Sequence, residues 1–200
     1  MRKPNIILDL DQTIISAEDM EEYKKNEKKN TQKSKKFDYL NMEDFYVVFA
    51  RPGLQPFLRY LFKNFNVSVW TAASKDYALF IIDKIIIGNN KNRKLDWVFF
   101  SYHCDISTRK KGNSKNLSLL FDEFNLPGYN KNNTYIIDDY DEVYKTQPNN
   151  CIIAVPFEFY GDDSENDQFL KKLRTELEKL KSSSDNSIIK TINHSLGTLS

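Results

Sequence analysis

Asp9 and Asp11 stand where an apolar run ends, in Ile6-Ile7-Leu8-Asp9-Leu10-Asp11-Gln12-Thr13. Ile, Ile and Leu suit a buried strand of a parallel sheet, which reads as near-continuous apolar sequence. Aspartate disfavours strands, and an unpaired buried carboxylate is costly. Two of them at one strand end therefore ask for a compensating charge. Alternate residues of an extended chain face the same way, so both carboxylates can approach one cation. Mg²⁺ suits that place, being a hard ion held by one or two carboxylates, waters and a substrate phosphate. A second apolar run, Tyr135-Ile136-Ile137, ends in another acidic pair, Asp138 and Asp139.

These pairs need elements to position them. Phe45–Phe49, Val67–Thr71, Trp97–Phe100, Tyr135–Asp139 and Cys151–Val155 read as further strands. Between them lie helical patterns: one opened by Pro52 and carrying Phe57, Leu58, Leu61, Phe62 and Phe65; one from Lys75 with Gly88 as its stop; one over Lys115–Phe124; and one over Asp167–Leu180. Strands alternating with helices predict a doubly wound, parallel α/β sheet, whose ligand site lies beyond the carboxyl ends of the strands. Asp9, Asp11, Thr71, Asp138 and Asp139 all fall at such ends. The Lys-, Asn- and Glu-rich stretch 18–44 reads as a polar loop or small flap inserted in a domain spanning 1–181. The Ser- and Asn-rich residues 182–200 read as a flexible tail.

The whole chain sets bounds. Its 200 residues suffice for one domain with a real core, and 14% aromatics exceed what a disordered chain carries. Lys plus Arg (29) and Asp plus Glu (28) nearly cancel, so net charge argues for neither nucleic acid nor membrane as partner. Two cysteines make no disulfide framework, and His103-Cys104 lacks further zinc ligands and reads as core or loop. The run Ile81–Ile87 is too short and charged to span a bilayer. An intracellular protein, in cytoplasm or nucleus, is expected.

In order along the chain, these residues resemble motifs of the haloacid dehalogenase superfamily. Within it they are most similar to the phosphatases of the RNA polymerase II C-terminal domain and their small relatives. Asp9-Leu10-Asp11-Gln12-Thr13 resembles the Asp-x-Asp-x-Thr motif, and Trp70-Thr71-Ala72-Ala73-Ser74-Lys75-Asp76-Tyr77 the second motif. Lys115-Asn116-Leu117-Ser118 is similar to Lys-Asp-Leu-Ser, Ile136-Ile137-Asp138-Asp139 to the terminal acidic motif, and Arg51-Pro52-Gly53 with Phe57-Leu58 to Arg-Pro-Gly-x-x-x-Phe-Leu. The resemblance implies a Mg²⁺-dependent phosphomonoester hydrolase working through an aspartyl-phosphate. Asp9 would be its nucleophile and Asp11 its general acid and base, with the Asp11 backbone carbonyl on the metal. Asp139 would be the direct metal ligand of its pair, with Asp138 orienting Lys115 or a metal-bound water. Thr71, Ala72 and Lys115 would hold the phosphoryl group, and Tyr77 and Arg51 the substrate.

Taken singly, each residue has a plainer role open to it. Asp-x-Asp is often a loop cap or salt-bridge pair, Lys115 a surface lysine rivalled by Lys110 and Lys111, and Arg51 a salt-bridge or capping residue. The Lys24–Lys36 run serves as a solvated face or as a grip on an acidic phosphopeptide or nucleic acid. The chain also departs from the family pattern. Ser101-Tyr102-His103-Cys104 lacks the relatives' arginine, for which Arg109 is the nearest substitute, and acidic Glu18-Asp19 replaces apolar residues. No large cap fits between the first two motifs, so an open cleft for a phosphorylated protein is expected, the polymerase tail being one such partner. The alternatives are a nucleic-acid 3′-phosphatase, a small-molecule phosphatase, or a catalytically idle phosphopeptide-binding module. The Asn-, Lys- and Ile-rich composition fits an AT-rich source such as a large DNA virus or a protist.

Overall fold

The computed structural model describes residues 3–182 and 187–199. In chain order its elements are β1 (Asn5–Leu8), β2 (Ile15–Asp19), α1 (Met20–Lys25), α2 (Glu27–Ser34), β3 (Tyr39–Met42), β4 (Tyr46–Ala50), α3 (Leu54–Asn64), β5 (Asn66–Trp70) and α4 (Lys75–Ile81). There follow β6 (Val98–Phe99), α5 (Ser101–Lys111), β7 (Thr134–Asp138), α6 (Asp141–Thr146), β8 (Cys151–Ile153), α7 (Phe169–Ser182) and α8 (Ile188–Leu196). The expected parallel sheet is present, in the order β6-β5-β1-β7-β8 with every neighbouring pair parallel.

The fully buried strand β1 is the hinge of the architecture, because side-chain alternation divides it between two cores. Ile6 and Leu8 pack with Leu58, Ile81, Leu173 and Ile192, from α3, α4, α7 and α8. Ile7 packs on the opposite face with Cys104, Leu120 and Val143. Helices thus cover both faces, and the sheet's central strands are shut from water as parallel strands require.

The structure corrects two expectations, the helix from Lys115 and the flexible tail, and decides two alternatives, in favour of a flap over 18–44 and a core place for Cys104. The stretch 18–44 is ordered: its strands β2 and β3 flank β4 in a separate antiparallel sheet, β2-β4-β3, carrying α1 and α2. Composition hid this because the flap closes around a small core of its own, Met20, Val47, Phe49 and Phe159. Lys115–Ser118 is a loop, followed only by a wide helical turn at Leu119–Glu123, since Lys115 adopts a left-handed φ of 51°. His103 and Cys104 belong to the helix α5, which the polar sequence concealed. Finally, the tail expected to be flexible over 182–200 includes α8, which buries Ile189 and Ile192. Its Asn193 side chain accepts from Ile153 N and donates to Cys151 O at 3.0 Å each, occupying the free edge of β8. Residues 183–186 of that tail, and Ser200, lie outside the described residues.

Candidate active site

β1 and β7 run parallel side by side, so their carboxyl ends deliver Asp9, Asp138 and the following Asp139 to one place. One carboxylate oxygen from each lies within 4.8 Å of those of the other two. Lys115 enters from the loop after α5 and is itself buried. Its Nζ donates to Asp9 Oδ1 at 2.6 Å and to Asp138 Oδ2 at 2.7 Å. Asp138 Oδ1 accepts from Tyr140 N at 2.9 Å, so each oxygen of this carboxylate has a donor. The Thr13 hydroxyl lies 3.1 Å from Asp139 Oδ1 and 3.3 Å from Asp9 Oδ2, able to donate to either.

A left-handed lysine is strained. The surrounding loop holds it through groups that carried no signal in the sequence. Gln147 donates from Nε2 to Lys115 O at 3.0 Å and accepts from Leu117 N at 2.9 Å, while Ser107 Oγ accepts from Asn116 N at 2.9 Å. Gln147 thereby ties the lysine's loop to the end of α6.

Asp11 faces away from this cluster. Gln12 turns the chain with a left-handed φ of 59°, and Asp11 Oδ1 accepts a 2.5 Å hydrogen bond from Tyr77 Oη. Tyr77 is buried in the first turn of α4, capped by Ser74, with its ring edge-on to Tyr46 at 5.4 Å. It therefore holds Asp11, while its ring lines the cleft in which the family resemblance expects substrate. Burial pushes the Asp11 carboxyl up to about 6, Asp9 adding to the rise and the Tyr77 hydroxyl opposing it. That value suits a group that must both give and take a proton near neutrality. Burial also raises Asp138 and Asp139, reinforced for both by the Asp9 charge. Burial works against the charge of Lys115, but Asp9 and Asp138 outweigh it and leave its pKa raised.

Thr71 directly follows β5, which pairs with β1, and is buried, its Oγ1 accepting from Ala73 N at 3.1 Å, with exposed Ala72 next to it. Asp11, Ala73 and Tyr77 line a cleft of about 570 Å³ whose other wall comes from the flap and the 158–160 segment, including Glu18, Tyr46, Glu158 and Tyr160. Lys110 is exposed and Lys111 pairs with Asp122 and Glu123, so neither rivals Lys115. Arg109 is exposed on the last turn of α5. Of the Lys24–Lys36 run, Lys33 and Lys36 pair with Glu165 and Lys25 with Glu22.

Arg51 requires correction as a substrate contact. Its guanidinium is fully buried, clasping both oxygens of Asp167 from Nε and Nη2 at 2.9 Å each. Nη1 donates to Thr13 O and Val155 O, and Phe169 stacks with its ring centroid 4.3 Å away. Arg51 thus braces the loop carrying Asp9 and Asp11 from behind. The salt-bridge alternative, which the sequence left open, is the one the fold adopts.

A parallel α/β sheet with carboxylates, a threonine and a buried lysine gathered at the carboxyl ends of its strands is the arrangement of the haloacid dehalogenase fold. The chain belongs to the NLI interacting factor-like phosphatase family, whose model matches residues 4–187. It is 46% identical over 178 residues to protein 355R of Invertebrate iridescent virus 6, named as CTD phosphatase-like, covering 88% of this chain and 97% of that protein. The protein of the same name from Invertebrate iridescent virus 3 is 42% identical over 185 residues, covering 90% and 98%. Among solved structures it resembles the RNA polymerase II CTD phosphatase Fcp1 of fission yeast bound to beryllium fluoride, with a TM-score of 0.58 at 24% identity over 94% of this chain. A further Fcp1 structure gives 0.55 at 26% identity over 92% of this chain. The chain spans about half of each of those solved chains, 54% and 52%. No helix among the described residues is long and apolar enough to cross a membrane.

Proposed function

We propose that this CTD phosphatase-like protein is a Mg²⁺-dependent phosphoserine/phosphothreonine protein phosphatase working through an aspartyl-phosphate on Asp9. The observation that carries the reading is the division of labour between two carboxylates two residues apart. Asp9 is buried against Lys115, while Asp11 is turned aside and held by a tyrosine hydroxyl. An Asp9 oxygen would bond to phosphorus as the ester P–O bond breaks, and Asp11 would deliver its proton to the departing oxygen. Asp11 would then take a proton from the water that attacks the same phosphorus, releasing inorganic phosphate and restoring both aspartates. Thr71, Ala72 and Lys115 would hold phosphoryl oxygens, over which transition-state charge is spread.

The donor set fits Mg²⁺. Asp9, Asp138 and Asp139 present converging hard oxygens and outnumber the one ammonium, Lys115, that the described residues place among them. Bound there, the ion would neutralise the charge between the Asp9 carboxylate and an incoming phosphate. The open cleft and the names of the relatives support a phosphorylated protein as substrate, and make a phosphorylated polymerase-tail peptide the first to test. The iridescent-virus relatives support a large DNA virus as the source. Purified protein should hydrolyse p-nitrophenyl phosphate with Mg²⁺ and phosphoserine peptides in preference to 3′-phosphorylated oligonucleotides or sugar phosphates. Asp9→Asn or a chelator should abolish turnover; retention of turnover by Asp9→Asn, or indifference to chelator, would overturn the mechanism.

A further inference from the structure

The loop 89–92 after α4 ends in Arg93, a buried guanidinium with no carboxylate in ion-pair range among the described residues. Its Nη1 donates to Gln55 Oε1 at 2.9 Å and Ile86 O at 2.7 Å, which fixes the group and ties α3 to the turn after α4. Nη2 has only a 3.5 Å contact to Gln55 O, and Nε has no partner. Burial, and then the like charge of Arg59, hold its pKa down. A buried cation facing another cation is an arrangement that normally requires an anion.

Arg51 shows, in the same chain, what that edge of a guanidinium does when filled. Its Nε and Nη2 grip a carboxylate two-fold, while in Arg93, which lies 6.0 Å from the Phe62 ring centroid, Nε is buried without a hydrogen-bond partner and Nη2 has only its long contact. Tying Gln55 to Ile86 needs only Nη1. Arg59, Lys84, Lys91 and Arg93 line a cleft of about 940 Å³ that shares no lining residue with the catalytic one. Its single carboxylate, Asp83, is paired with Lys84 at 3.0 Å. Arg59 is exposed, with its charge free to meet a ligand.

We propose that the Arg59–Arg93 cleft is a second oxyanion site, binding a phosphate group that the catalytic centre does not process. Two sources share this chemistry: free inorganic phosphate, which the reaction releases, and a further phosphoryl group on a multiply phosphorylated protein.

The test reads the arginine Nε–H resonances by ¹⁵N NMR during titration with inorganic phosphate. The Arg93 signal should shift saturably while that of Arg51, already held by Asp167, stays put. Arg59→Ala should weaken phosphate binding at Arg93 about tenfold, the loss of one charged hydrogen-bonding partner, and leave p-nitrophenyl phosphate turnover unchanged. An Arg93 signal unmoved at phosphate concentrations that inhibit turnover, or an identical shift in Arg59→Ala, would overturn the site. Peptides bearing one or two phosphoserines, titrated into Asp9→Asn protein, then name the source. Tighter binding of the doubly phosphorylated peptide, lost on Arg59→Ala, assigns the site to the substrate; equal binding assigns it to free phosphate. Turnover is read separately, so failure of the catalytic reading is distinguishable from failure of this one.

Discussion

Tyr77→Phe isolates the hydrogen bond that holds Asp11. Phenylalanine keeps the ring, its edge-on contact with Tyr46 and its place in the capped first turn of α4, and removes only the hydroxyl 2.5 Å from Asp11 Oδ1. A hydrogen bond to a charged group is worth about 1.5–3 kcal/mol. If all of it serves to aim Asp11 at the departing oxygen, the rate falls about 10- to 150-fold. Removing the acid itself, in Asp11→Asn, should cost about 10²–10⁴-fold. The loss must depend on how much the leaving group needs a proton. For p-nitrophenyl phosphate, whose phenolate departs unaided, kcat/KM should stay within about threefold, whereas benzyl phosphate should show the full effect. The assay is kcat/KM across p-nitrophenyl, phenyl and benzyl phosphates, because that ratio reports the steps through formation of the phosphoenzyme. These small esters differ little in shape, so a lost substrate contact would lower all three equally. A uniform loss would refute the positioning role and return Tyr77 to substrate binding.

Three further outcomes follow from particular contacts. Arg51→Ala leaves the Thr13 and Val155 carbonyls and a partly exposed Asp167 without their donor and should cost about 1–3 kcal/mol of stability in denaturant titrations; a rise in KM with stability unchanged would reinstate it as a substrate contact. Gln147→Leu frees the strained Lys115 loop and should lower kcat with p-nitrophenyl phosphate about tenfold or more, with the unfolding transition intact. Asn193→Ala strips two hydrogen bonds from the edge of β8 and should destabilise the fold by about 1–3 kcal/mol without changing KM, measurable by urea denaturation.

Sequence pattern carried the parallel sheet because period and composition are local properties. Ile6–Leu8 and Tyr135–Ile137 could be read as buried strands without their neighbours, and the acids that end them as a site. Whether 18–44 forms a loop or a flap stayed open for the converse reason: Phe49 reaches Phe159, ring centroids 3.9 Å apart, across more than half the chain. No local window contains that pair. For α8 the Ser- and Asn-rich composition of the tail outweighed a helical spacing of Ile188, Ile189, Ile192 and Leu196, whose apolar face packs into the main core.

Asp9, Asp11, Thr71, Asp138 and Asp139 were legible as a set from their places at strand ends, and Lys115 through its motif's resemblance to the family. What each one touches was decided in three dimensions. Arg51 and Tyr77 show the difference, since a guanidinium and a phenol carry no mark of which way they face. Folding placed Asp167 against the first and Asp11 against the second. The chain's own letters thus determined which chemistry is available. Only the packing of distant segments, which sets burial and hydrogen-bond partners, decided which of these residues converge at the carboxyl ends of the strands and which brace them from behind.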